Sequence, residues 1–367
     1  MDVIFFVFSL AIILIGAELF TNGIEWFGHR LNLGEGAIGS VLAAVATALP
    51  ETLIPVIAIV GPILTGGVAS VGSEEVGVGA ILGAPFTLAT LAMFITGLAV
   101  LAYARRGRRD AEMSVNVNVM AQDVVFFLVA YGIAIGAAFL PESWRWADYL
   151  AVVLLTGIYV FYVRAHLREG GSGEAPELAR LHATRLPGLK GGAAIHLPED
   201  GGQLENHGLP RLWVIVAQTL VALACIVLGA RVFVGALEHA SVAIGFDARL
   251  FALIVAPIAT ELPEKFNSVL WVRNGKDTLA MGNITGAMVF QACLPTVVAL
   301  LFAPEQWVIG PGSYLVFLSA GIAFAATAAV FLPMTRRARL TARGLLVGGI
   351  FYAAYLIAVL VAVGAVG

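Results

Sequence analysis

Charged side chains are what this sequence has least of. Asp, Glu, Lys and Arg together make up 12% of 367 residues, against 60% hydrophobic ones. Soluble domains carry roughly 25% charged residues, so the composition excludes a soluble globular fold and implies an integral membrane protein. Cysteine is nearly missing. Cys225 and Cys293 both lie in apolar stretches without a flanking histidine, which excludes a disulfide framework and a thiolate metal site. Lysine is scarce as well: Lys190, Lys265 and Lys276 are the only three among 21 basic residues. A net charge of −3 says little for a chain lying mostly in lipid, and nothing in it points to nucleic acid. The start, Met1-Asp2, has no basic leader region, so the first apolar run reads as a span and not as a cleaved signal.

What the sequence has instead is apolar runs of about 20 residues, the length needed to cross a bilayer. About ten recur, near 3–28, 37–60, 77–103, 115–139, 146–163, 212–237, 247–271, 278–303, 312–333 and 344–366. The expected fold is all-α. A polar stretch between the fifth and sixth runs holds Gly170-Gly171-Ser172-Gly173 and Pro187, Pro198 and Pro210. It reads as a flexible linker and divides the chain into 1–165, a linker at 166–210, and 211–367.

Arginines sort to alternate loops. Arg105, Arg106, Arg108 and Arg109 follow the third run. Arg164, Arg168, Arg180 and Arg185 attend the linker. Arg273 and Lys276 separate runs seven and eight, and Arg336, Arg337, Arg339 and Arg343 separate nine and ten. All fall on one side of a membrane, which the positive-inside rule makes cytoplasmic. The expectation is a multi-pass protein of the cell membrane with both termini outside.

Two stretches break the apolar monotony. Ala46-Thr47-Ala48-Leu49-Pro50-Glu51 has a second copy at Ala259-Thr260-Glu261-Leu262-Pro263-Glu264. A charge at mid-bilayer depth costs roughly 2.5–3.5 kcal/mol, so an intramembrane Glu is a functional hypothesis by default. Thr47 and Glu51 are four apart and share a helical face, as do Thr260 and Glu264. Pro50 has no N–H, so the carbonyl of Ala46 loses its helical partner; Pro263 does the same to Ala259. Carboxylate, hydroxyl and freed carbonyl form the ligand set of a hard cation such as Ca²⁺, which takes about 6–8 oxygens. A purely structural contact between helices is the plain alternative, and the repetition speaks against it.

The repetition extends beyond the motif. Gly16-Ala17, Phe20 and Glu25 match Gly229-Ala230, Phe233 and Glu238 at the same offset of 213 residues. Gly79, Ile81, Gly83 and Ala84 match Gly282, Ile284, Gly286 and Ala287 at an offset of 203. An odd number of spans per half inverts the second copy, and inverted repeats with interrupted helices mark transporters. The glycines read as close helix packing.

These residues resemble the cation/calcium exchanger superfamily, the sodium/calcium exchangers. Its two repeats carry a G-T-S-L-P-E-like motif followed by a helix with G-N-x-x-G-S-N. The resemblance covers both halves and implies two inverted five-helix repeats, with no enzymatic chemistry. It makes Glu51 and Glu264 ligands of the transported Ca²⁺, and Thr47 and Thr260 oxygen donors beside it. Asn283 and Gln291, on the second Gly-rich helix, join the candidate set, as do Glu261 and the carbonyls of Ala46 and Ala259.

The departures are informative. The motif serine is Ala48 in one copy and Glu261 in the other, the later serine is Ala84 and Ala287, and the following Asn or Asp is Leu88 and Gln291. Several oxygens expected for Na⁺ are missing. Lys265 follows the second motif and lies four residues from Glu261, so the two are expected to pair, leaving a net −2 with Glu51 and Glu264. Glu18, Glu25 and Asp123 are expected at the membrane interface, and Glu74 and Glu75 in an outside loop. The expected function is antiport of Ca²⁺ or a similar divalent against H⁺ or Na⁺ by alternating access, with lipid and transported cations as partners. Export of another cation and a cation channel are the competing readings.

Overall fold

A computed structural model describes residues 2–30, 40–42, 44–65, 73–168, 180–185, 210–244, 253–254, 262–273, 275–310, 312–337 and 339–364. Twelve helices are described: α1 (Asp2–Arg30), α2 (Ala44–Thr47), α3 (Leu49–Thr65), α4 (Ser73–Thr87), α5 (Met93–Arg105), α6 (Val117–Ala137), α7 (Trp146–Arg168), α8 (Leu212–Ile244), α9 (Leu262–Arg273), α10 (Asp277–Phe302), α11 (Tyr314–Arg337) and α12 (Ala342–Gly364). A π-helical turn, Leu88–Ala92, joins α4 to α5 without a break. Among the described residues, eight helical stretches are long and apolar enough to span a membrane. Each falls on one of the expected runs. The second and seventh expected runs are not among the eight: the second is interrupted at Ala48, between α2 and α3, and most of the seventh lies outside the described residues.

Burial separates the centre of the bundle from its lipid-facing rim. Most of the α4–α5 span and of α10 is buried, whereas most of α7 and α12 is not. Phe5, Phe8, Leu220, Val221, Leu360 and Val361 on the outer helices are exposed, as surfaces solvated by lipid should be. Trp144 and Trp146, at the start of α7, are also exposed, and tryptophan favours the membrane–water boundary.

Helices α1 and α8 pack closely through glycines. A Cβ on Gly16 would lie 2.9 Å from Ile226 Cγ1 and 3.2 Å from the Ala222 carbonyl. A Cβ on Gly229 would lie 2.8 Å from Ile13 Cγ1 and 3.2 Å from the Ser9 carbonyl. The contact is reciprocal: Gly16 meets Ala222 and Ile226, which lie 213 positions after Ser9 and Ile13, and Ser9 and Ile13 meet Gly229, which lies 213 positions after Gly16, as in a two-fold contact.

Three of the arginine-bearing loops gather together. Arg109 makes a bidentate pair with Asp277, at 2.7 and 2.6 Å, and donates to the Val272 carbonyl at 2.7 Å. The Ser114 N–H donates to the same carboxylate at 2.8 Å. Glu112-Met113 pair antiparallel with Leu340-Thr341, and Arg339 reaches Glu112 at 3.4 Å. Asn116 caps α6, its Oδ1 accepting from the N–H groups of Asn118 and Val119, which satisfies donors that a helix start leaves open.

Part of the expected flexible linker is docked. Residues 182–185 form a short 3₁₀ turn with Leu181 fully buried and Thr184 5% exposed. Gln218 Oε1 accepts from the Ala183 N–H at 2.7 Å, and Asn22 Oδ1 accepts from the His182 N–H at 3.1 Å. Gln218 Nε2 then donates to Asn22 Oδ1 at 3.0 Å and to the Leu19 carbonyl at 2.8 Å. This stretch is therefore fixed on α1 and α8, because two buried amides take up its backbone donors. The rest of 169–209 lies outside the described residues.

Candidate functional site

The first motif falls where the helix breaks. Helix α2 ends at Thr47, Ala48 forms a turn, and α3 begins at Leu49-Pro50. Proline is favoured at a helix start, where its missing N–H costs nothing. Glu51 sits in the first turn of α3, where the helix dipole favours an anion. It is 4% exposed, Thr47 and Ala48 are fully buried, and the break is thus lined by a carboxylate and a hydroxyl inside the bundle.

Helix α10 faces this break. Thr47 Oγ1 donates to Asn283 Oδ1 at 3.1 Å, closer than its 3.4 Å approach to its own helical carbonyl at Ala44. Back-bonding, the plain alternative for this threonine, is therefore the lesser contact. Thr87, Thr90 and Thr96 contrast with it: each donates to the carbonyl four residues back, at 3.0, 2.6 and 2.8 Å. Two turns on from Asn283, Gln291 Nε2 donates to the Ala48 carbonyl at 3.3 Å. Gln291 Oε1 and Asn283 Nδ2 are buried and have no hydrogen-bond partner among the described residues. The structure thus brings Thr47, Asn283 and Gln291 to one seam between α2–α3 and α10, with Glu51 buried one helical turn after Thr47. The candidates Ala259, Thr260 and Glu261 lie outside the described residues, as do the side chains of Ala46 and Glu264.

Glycine sets the closeness of that seam. A Cβ on Gly282 would sit 2.8 Å from Ser40 Oγ, and one on Gly286 would overlap the Ser40 carbonyl. The packing role expected of these glycines is met by Gly282 and Gly286. Lys265, in the first turn of α9, is 6% exposed; its expected partner Glu261 lies outside the described residues.

Two expectations are corrected. Glu74 and Glu75 are half-buried in the first turn of α4 and not in a loop, a position the helix dipole favours for acids. Asp123 is not interfacial but fully buried on α6. Its carboxylate accepts from Thr285 Oγ1 at 2.6 Å, Tyr162 OH at 3.0 Å and Ser40 Oγ at 3.2 Å, and His166 Nε2 stands 3.0 Å away. These partners make a buried charge tolerable. The sequence held one signal for it, an aspartate well inside an apolar run. Glu18 is exposed, as expected of an interfacial residue; the side chain of Glu25 lies outside the described residues.

A many-spanning helical bundle with a carboxylate buried at a helix break defines a membrane transport protein. The chain belongs to the sodium/calcium exchanger protein family, whose model matches residues 1–167 and 214–364. Among solved structures it is similar to the H⁺/Ca²⁺ exchanger CAX, with a TM-score of 0.71 and 14% identity over 97% of this chain and 82% of that one. It is also similar to the sodium-calcium exchanger NCX_Mj, soaked with 100 mM Na⁺ and 10 mM Sr²⁺, with a TM-score of 0.59 and 17% identity over 98% of this chain and 97% of that one. At such identities these likenesses establish the shared fold alone. No curated protein matches.

Proposed function

We propose that this protein exchanges Ca²⁺, or a similar divalent cation, for a counter-cation by alternating access, with Glu51 and Glu264 as the principal ligands. The observation that carries the reading is the Glu51 carboxylate, 4% exposed in the first turn of α3 and one helical turn after Thr47, whose Oγ1 meets Asn283 on α10. Gln291 binds the Ala48 carbonyl through its NH₂, which leaves Oε1 to face a cation. Asn283 serves a cation once its amide is turned, Oδ1 toward the ion and Nδ2 toward Thr47 Oγ1. Thr260, Glu261 and the carbonyls of Ala46 and Ala259 complete the proposed oxygen set. One pair of carboxylates serves both ions, so one must leave before the other binds, and that exclusion is the coupling.

Ten spans in two inverted repeats are the architecture we assign. The reciprocal Gly16–Gly229 packing supports it, and so does the interruption of the second span at its proline. The clustered arginine-bearing loops support placing those loops in the cytoplasm and both termini outside the cell membrane.

The test separates exchange from channel conduction. In proteoliposomes, calcium uptake is expected only when a counter-cation is present on the far side. Uptake of equal rate with no exchangeable cation inside would indicate a channel and overturn the antiport reading.

Lys265 bears on the same site. An unpaired ammonium beside the motif would oppose a divalent cation strongly in a low dielectric, so we assign it to Glu261. Lys265→Met is then expected to change apparent Ca²⁺ affinity only modestly, by about threefold. Glu261→Gln strands a buried charge, a loss of about 3–5 kcal/mol for a broken buried pair, and is expected to lower thermal stability. Equal and small effects of the two substitutions would show that they are not partners.

A further inference from the structure

The carboxylate of Asp123, on α6, is fully buried and gathers hydroxyls from three other elements. Thr285, on α10, donates to Oδ2 at 2.6 Å. Ser40, in the turn at 40–42, donates to the same oxygen at 3.2 Å. Tyr162, on α7, stands 3.0 Å from Oδ1 and 3.0 Å from the Ser40 carbonyl, and its one hydrogen serves either. Ser40 is thereby held on both its side chain and its carbonyl.

Both arms of this tie lead into the candidate cation site. Ser40 precedes Thr47 by seven residues, and Asn283 lies two residues before Thr285 on α10. Thr47 and Asn283 meet at 3.1 Å. Gly286 lets the Ser40 backbone approach α10 so closely that a Cβ there would overlap the Ser40 carbonyl. A glycine surface admits close approach but is smooth, so it sets the distance between two elements without setting their register. Two hydroxyls, one from each element, sharing a single carboxylate oxygen do set it.

We propose that Asp123 is a positioning residue of the cation site: it anchors Ser40 and Thr285 on one oxygen and so holds Thr47 against Asn283. This role rests on the exchange reading above and adds to it a residue away from the ion itself. Asp123 acts here by geometry and not by charge, and the two are separable. Asp123→Asn keeps one accepting oxygen for Ser40 and Thr285, while its NH₂ donates to Tyr162 OH, whose own hydrogen then goes to the Ser40 carbonyl. Asp123→Ala keeps none of these bonds.

The test reads KM and maximal rate of Ca²⁺ uptake into proteoliposomes. Asp123→Ala is expected to raise KM about tenfold, the scale of a lost buried hydrogen bond, with the maximal rate per folded protein within about twofold of the parent. Asp123→Asn is expected to return KM to within about twofold of the parent, because its oxygen keeps both hydroxyls. A tie that served folding alone would lower the amount of active protein, and with it the maximal rate, at an unchanged KM. A carboxylate that acted through its charge would leave Asp123→Asn as impaired as Asp123→Ala. Either result overturns the proposal. Should Asp123→Ala fail to fold, Thr285→Val removes one donor, keeps the carboxylate, and is expected to raise KM about threefold; an unchanged KM there overturns the proposal equally.

A second arm needs no transport. Substitutions at independent sites have additive effects on stability. Thr47→Val is expected to lower the unfolding temperature of the parent protein, and to lower it by a smaller step in Asp123→Ala or Thr285→Val, where the seam is already loose. Steps that simply add overturn the tie. Absence of Ca²⁺ uptake from the parent protein would overturn the exchange reading instead, and the thermal cycle would still decide whether Asp123 holds Thr47.

Discussion

Glu51→Gln and Glu264→Gln are each expected to abolish calcium uptake while leaving expression and folding intact. The amide matches the carboxylate in volume and removes one unit of charge from a shared cation site. Two unit charges about 4 Å apart at an effective dielectric near 20 interact by roughly 4 kcal/mol, which corresponds to nearly three decades of affinity. A divalent ion feels the loss more strongly than a monovalent one. Glu51→Asp retains the charge but withdraws it by one methylene, so it should fall between the parent and the amide. The measurement is radioactive calcium uptake into proteoliposomes, beside size-exclusion profiles of each variant. Near-normal uptake by either amide variant would move the site away from the paired motifs.

That expectation could be formed from the residues alone because the signal was repeated and expensive. A Glu next to a Pro in an apolar run has no cheap structural explanation, and a second copy at a fixed offset removes coincidence. The same logic found the glycines: a position that must admit another backbone leaves its mark as Gly, and Gly286 admits the Ser40 carbonyl. Eight of the spans were legible from length and hydropathy for the same reason, since lipid imposes one solution on a stretch of some 20 apolar residues.

What was not legible depends on partners distant in sequence. Asp123 stands 39 residues from Tyr162, 83 from Ser40 and 162 from Thr285. Its one local signal, an aspartate inside an apolar run, does not mark it as the meeting point of four side chains, so it read as a residue near a span end. The docked turn at 182–185 fails for a related reason. Its neighbours in sequence are Gly- and Pro-rich and read as linker, but Gln218 and Asn22, buried on two separate helices, supply the order. The partner of Thr47 is as distant: Asn283, at 3.1 Å across the seam, stands 236 residues away.

Uptake driven by a pH gradient, in the absence of sodium, is the remaining large effect expected of this protein. Both a proton-coupled and a sodium-coupled exchanger share its fold, so the fold does not choose the ion and the side chains must. Sodium needs several neutral oxygens beside the divalent site. Ala48, Ala84, Leu88 and Ala287 are all buried and offer no side-chain oxygen where the family places hydroxyls and an Asn or Asp. Protons make no such demand. Carboxylates crowded into a low dielectric exchange them readily, and Glu51, Glu261 and Glu264 are three carboxylates within two short motifs. Calcium uptake is therefore expected to follow an imposed pH gradient and to change little, by less than about twofold, when a sodium gradient is imposed at equal pH. Strong uptake in the sodium case alone would reverse the assignment and place sodium on carbonyl oxygens freed by Pro50 and Pro263.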